Sequence, residues 1–136
     1  MGIFSSIVDL FFPPRCIFCG RFLGRGNRYV CKTCRVSLPY EDDTAKLNGA
    51  DISEVAVPLR YEGSVRKAFH RFKFKGRTGY ATPFGEIIAE EVKRVFNGRY
   101  DIITWVPVSM ERKTVRGYDQ SQLLAYAVAL ELGDVA

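Results

Sequence analysis

All four cysteines of the chain stand in two C-x-x-C pairs, Cys16/Cys19 and Cys31/Cys34, inside the stretch CIFCGRFLGRGNRYVCKTC. Disulfide bonding, dithiol redox exchange and metal binding all use such pairs. A redox C-x-x-C is single and sits beside a strand–helix unit. Two pairs separated by 11 residues instead match the spacing of zinc knuckles and ribbons. Two residues between cysteines let a tight turn aim both thiolates at one ion, and a second knuckle closes the tetrahedron. Gly20 follows the first pair, where a knuckle needs positive φ. Four protein ligands leave no open position. The spacing therefore predicts one structural Zn2+ held by Cys16, Cys19, Cys31 and Cys34.

The setting agrees with this chemistry. The N-terminal stretch MGIFSSIVDLFFPP has no basic n-region and no small-residue cleavage site, so it does not read as a secretory signal. A cytoplasmic location is expected, where thiols stay reduced and structural disulfides are disfavoured. Gly2 and Ser6 fit the short myristoylation pattern. A buried amphipathic turn using Ile3, Phe4, Ile7 and Phe11 is the reading adopted. No apolar run approaches the roughly 20 residues of a membrane span. The 136 residues suit one domain, or a small module plus part of a second. At 47% hydrophobic the composition is that of a globular chain.

Arg15, Arg21, Arg25, Arg28, Lys32 and Arg35 make the zinc module basic, with no acid between Asp9 and Glu41. These cations offset the negative charge of a zinc tetrathiolate, or they form a nucleic-acid surface.

Elements that position further chemistry follow the polar link YEDDTAKLNGADISE. EVAVPLRYE predicts a strand. SVRKAFHRFKF predicts a helix with Val65, Ala68, Phe69 and Phe72 on one face. PFGEIIAEEVKRVF predicts another, with Pro83 in its first turn and Phe84, Ile87, Ile88, Val92, Val95 and Phe96 on its apolar face. DIITWVPV predicts a strand buried on both faces. A final helix is expected from Asp119, with an Asp119/Gln122 capping box and Gly133 past its end. The order strand, helix, helix, strand, helix predicts an α/β domain with a parallel sheet.

Two stretches here carry cations. HRFKFKGR holds His70, Arg71, Lys73, Lys75 and Arg77. VPVSMERKTVRGYDQSQLLA passes Arg112, Lys113, Arg116 and Gly117 on its way into a helix. Ligands of open α/β sheets bind beyond the carboxyl ends of strands. Amides and basic side chains gathered there suit phosphate, with Arg112, Lys113, Arg116 and Gln120 as candidate contacts. His70, the only histidine, has no nucleophile or carboxylate nearby in sequence and reads as a surface or core-edge residue.

LFFPPRCIFCG, CKTC, YEGSVRKAFHRFKFKGR and ITWVPVSMERKTVRGYDQSQLLA, in that order, resemble the competence protein ComF family. The resemblance spans nearly the whole chain. It implies a zinc-ribbon module over residues 1–40. After it, over residues 54–136, it implies an incomplete type I phosphoribosyltransferase-like α/β domain. It also implies a bacterial cytoplasmic protein acting in DNA uptake, beside a helicase-like partner. Family members continue into an acidic Thr/Gly-rich loop that binds the ribose phosphate of phosphoribosyl pyrophosphate. No D-D-x-x-x-T-G stretch occurs in this sequence, and Asp119 stands where the family commonly has Asn. The expected sheet is therefore incomplete. The helix faces around Phe84–Phe96 and Leu123–Leu132 are expected to lack a covering wall and to expose an apolar patch.

Two functions follow as expectations. The first is nucleic-acid handling in competence. Arg21, Arg25, Arg28, Lys73, Lys75 and Arg77 would track single-stranded DNA phosphates, and Phe74 would stack on a base. The alternative is phosphoribosyl transfer with Mg2+, which requires the acidic loop to be supplied from elsewhere.

Overall fold

Local sequence signals set most of the helices. In the computed structural model, residues 13–24, 26–41, 52 and 54–133 are described. Among them, helix α1 spans Lys32–Ser37, α2 Gly63–Phe74, α3 Ala81–Phe96, α4 Met110–Arg116 and α5 Gln120–Leu132. The predicted turn at Ile3–Phe11 lies outside the described residues, as does most of the polar link.

Helix α2 buries Val65, Ala68 and Phe72, the stripe its periodicity predicts. A 3-10 turn at Thr78–Tyr80 leads into α3, which has Pro83 in its first turn. The capping of α5 also follows expectation. The Asp119 carboxylate accepts from the Gln122 amide, and Gly133 ends the helix in the left-handed conformation. Helices α3 and α5 pack along each other through small residues. A Cβ on Gly85 would lie 2.5 Å from the Ala127 Cβ, so only glycine admits this approach. Glycine inside a helix costs about 1 kcal/mol relative to alanine, which the close packing offsets.

One core joins the N-terminal module to these helices. Ile17, Phe18, Leu23, Val30 and Leu38 cluster with Val65, Ala68, Phe72, Ala81 and Phe84. The Phe18 and Phe84 rings meet edge to face, with centroids 5.9 Å apart.

The predicted parallel sheet is not formed: the described residues contain no β-strand. EVAVPLRYE contributes only isolated bridge residues, Val55 and Leu59, the latter paired antiparallel with Tyr40. The DIITWVPV stretch takes no regular secondary structure, and Ile102 and Val106 are each 82% exposed rather than buried on both faces. β-branched residues favour extended backbone locally, but a strand exists only where its N–H and C=O groups meet a neighbour's. Among the described residues no backbone hydrogen bond reaches 101–107. An open apolar groove lies here instead. Ile88, Val92 and Phe96 of α3, Leu124 and Val128 of α5, and Trp105 line a volume of about 860 Å³.

Candidate metal centre and basic grooves

The first knuckle is a small hairpin turn. Arg15 and Phe22 form an antiparallel bridge, and the Cys16 N–H donates to the Arg21 carbonyl at 2.9 Å. Gly20 takes φ +76°, and its N–H donates to the Cys16 carbonyl at 2.9 Å. The second knuckle is the start of α1, where Cys31 is the N-cap and Cys34 lies in the first turn. The Cys31 N–H donates to Cys16 Sγ, and the Cys34 N–H to Cys31 Sγ, both at 3.4 Å.

These turns bring four sulfur atoms within 4.8 Å of one another, with Cys19 and Cys31 at 3.7 Å. Zn–S bonds of about 2.3 Å in a tetrahedron place sulfurs about 3.8 Å apart, so the set fits zinc. The crowded thiols are shifted in opposite directions. Burial pushes the Cys16 thiol up, but the amides of Cys19, Cys31 and Phe18 outweigh it and bring it down to about 7. Burial and the neighbouring cysteines push the Cys34 thiol up. Four thiolates this close require a cation among them, and a divalent ion supplies that charge.

Such a knuckle pair defines a zinc ribbon. The double zinc ribbon domain family matches residues 7–56. Four cysteines supply ligands for one closed site, and the chain contains no others. Competence protein ComFC of Bacillus subtilis (strain 168) is similar to this chain. It is 26% identical over 110 residues, which make up 81% of this chain and 43% of that protein. The chain thus spans less than half of that relative's length. No solved structure matches. The two matches support the ComF-family resemblance. No helix among the described residues is long and apolar enough to cross a membrane.

The two cationic stretches converge. A groove of about 430 Å³ is lined by Lys73, Phe74 and Gly76 from one and by Glu111, Arg112, Val115, Arg116 and Tyr118 from the other. The RGYDQ turn makes this junction. The Tyr118 hydroxyl donates to the Phe72 carbonyl, and the Gln120 amide donates to the Lys73 carbonyl at 3.5 Å. Gln120 also accepts from Arg116 at 2.9 Å and is only 3% exposed, so its amide ties the turn to α2. The Arg116 guanidinium lies 4.9 Å from the Phe74 ring centre. Phe74 is 54% exposed, consistent with its place off the apolar stripe. Lys75, Arg77, Arg112 and Lys113 are exposed. So are Arg21 and Arg28, on the zinc module, while Arg25 lies outside the described residues.

Helix α4 and the two ties through Tyr118 and Gln120 were missed from sequence. The signals for α4 were local. Ser109 accepts from the Arg112 amide as N-cap, Glu111 sits in the first turn, and Gly117 closes the helix. The ties have no local signature, because they join residues 46 and 47 positions apart.

Asp119 yields a testable consequence. One carboxylate oxygen accepts from Gln122 and the other from the Val108 N–H, each at 3.1 Å. Burial pushes the carboxyl up, but the amides of Gln122, Val108 and Ser121 and the Lys113 charge outweigh it and hold it below the usual aspartate value. A depressed carboxylate stabilises the fold above its unfolded pKa of about 3.9, and that contribution is lost as pH falls through the lower native value. Asp119→Ala is expected to cost about 1–3 kcal/mol at neutral pH, and Asp119→Asn less, since an amide oxygen still serves one donor. Urea unfolding of the zinc-loaded protein at pH 7 measures both, and an alanine penalty no larger than the asparagine one would contradict this role.

Proposed function

We propose that this chain is a zinc-stabilised protein of nucleic-acid handling in competence, binding single-stranded DNA at the groove between α2 and α4. The observation that carries this reading is the convergence of Lys73 and Phe74 with Arg112 and Arg116 in one groove. Lys75 and Arg77, exposed on either side in sequence of the groove residue Gly76, add further charge, and Arg21 and Arg28 add cations on the zinc module. Cations beside an exposed aromatic ring suit a strand whose phosphates are neutralised while a base stacks. Glu111 is the one acid among the residues that line the groove, against the cations Lys73, Arg112 and Arg116. The name of the relative, a competence protein, agrees with this setting. A helicase-like partner and a cytoplasmic location accompany the reading through the family resemblance alone, and the test does not depend on them.

The test is fluorescence anisotropy with a labelled oligonucleotide at several salt concentrations. Each phosphate contacted on a single strand contributes a slope of about −0.7 in log affinity against log salt. Replacing Lys73, Lys75 and Arg77 together by Ala is expected to flatten the slope by about 2 units. Phe74→Ala is expected to weaken binding by about 1–3 kcal/mol without changing the slope. A triple variant with the affinity and slope of the parent would refute the assignment.

A further inference from the structure

The outer face of α2 carries a second groove, of about 580 Å³, lined by Gly63, Arg66, Lys67, His70, Arg71 and Lys75. No acid lines it, and none occurs in the sequence from Gly63 to Gly85. Among the described residues, the arginines ion-paired with a carboxylate are Arg60, Arg94 and Arg99. Arg66, Lys67, Arg71 and Lys75 have no such pair there. Surface cations that only keep a helix solvated are commonly interleaved with acids, as Glu91 and Arg94 are on α3. Here one sign of charge is concentrated on a concave face, which focuses a positive potential.

The arrangement is linear and partly fixed. Lys67, Arg71 and Lys75 recur every fourth residue, so their backbone positions step about 6 Å along the helix axis. The central Arg71 is not free to wander: its guanidinium donates to the Ile17 carbonyl at 3.3 Å, next to the zinc ligand Cys16. A cation held in place loses less entropy on binding an anion. This groove also meets the first one. Lys75 lines one, Lys73, Phe74 and Gly76 line the other, and the His70 ring lies 4.8 Å from that of Phe74 at the seam.

We propose that this face is a second phosphate track, along which the backbone of the same single strand continues from the Phe74 groove past Lys75 and Arg71 to Arg66 and Lys67. The inference rests on the single-stranded DNA reading above and extends it to residues that reading does not use. A flexible strand can turn from one wall of α2 to the other at Gly76, whereas a stiff duplex cannot follow both grooves.

Length dependence tests it. Oligothymidylates of about 6 and about 20 nucleotides bracket a site of this kind. They are titrated against the zinc-loaded parent, the Arg66→Ala/Lys67→Ala double variant and the Lys73/Lys75/Arg77 triple variant. Both altered side chains of the double variant are exposed, and circular dichroism checks that the helix persists. The parent is expected to bind the longer strand more tightly than the shorter. The double variant should lose that advantage, flatten the long-strand salt slope by about 1.4 units and bind the short strand like the parent. If the double variant keeps the parent's affinity and slope on the long strand while the triple variant does not, the second track is refuted and the first stands. If the parent binds neither strand, both readings fall. If a 20-base-pair duplex competes as well as the single strand, the track is overturned as a single-strand site.

Discussion

Cys31→Ser is expected to release the zinc ion and unfold the N-terminal module. Cys31 serves the site in three ways. Its sulfur lies 3.7 Å from Cys19 Sγ, its N–H donates to Cys16 Sγ, and it caps α1 by accepting from the Cys34 amide. Serine can still cap a helix, but its hydroxyl does not replace a thiolate on zinc. Zinc binding in small Cys-ligated modules supplies about 10–16 kcal/mol of apparent folding free energy. A whole domain is stable by only about 5–15 kcal/mol. The effect should spread, because Ile17, Phe18, Leu23 and Leu38 share a core with Phe72 and Phe84. Elemental analysis should find about one equivalent of zinc in the parent and none in the variant. Hydrogen exchange should show lost protection across residues 13–41. A variant that keeps one equivalent and the parent's melting temperature would exclude a four-cysteine structural site. Treating the parent with a strong chelator should reproduce the variant's exchange pattern.

Phe72→Ala should be the most damaging single change in the helical part. Phe72 is fully buried, and its ring packs against Phe69, Phe84 and Tyr118 with centroids 5.9–6.2 Å apart. Truncation removes the transfer free energy of the ring and leaves a cavity among aromatic walls that cannot close. The expected cost is about 3–5 kcal/mol. For a chain of this size that is a fall in melting temperature of roughly 10–20 °C. Phe72→Leu should recover most of the loss, because it refills most of the volume. The control is Phe74→Ala, two residues away on the exposed side of the same helix. Its stability should change by less than about 1 kcal/mol, since it gives up a surface contact with Arg116 rather than core packing. Thermal unfolding of the three variants separates the roles of the two phenylalanines, and equal losses for Phe72→Ala and Phe74→Ala would contradict the structure.

Where the sequence was legible, the cause was local. The C-x-x-C spacing places two sulfurs on one turn whatever lies beyond it, and the four meet as predicted. Periodicity placed Val65, Ala68 and Phe72 on the buried face of α2, and Asp119 with Gly133 bounded α5 because caps are made within one turn. Small residues were harder to read. Gly85 stands inside the α3–α5 packing and Ala89 is buried one turn further on, yet neither is hydrophobic enough to mark an apolar stripe.

Those local features were determined by the sequence alone: a four-sulfur metal site, amphipathic helices with their ends, and an acid-free run of cations. The tertiary structure decided what depends on groups far apart in the chain. It left DIITWVPV without regular structure and unpaired among the described residues, because β-propensity favours a backbone shape while a sheet needs a second strand at hydrogen-bonding distance. It joined the zinc module to the helices through Phe18 and Phe84 and through Arg71 and the Ile17 carbonyl. It also brought Lys73 and Phe74 to Arg112 and Arg116, because the Tyr118 and Gln120 side chains bind carbonyls at the end of α2. Each of these is a contact between residues dozens of positions apart, formed only when burial of the common core draws the segments together.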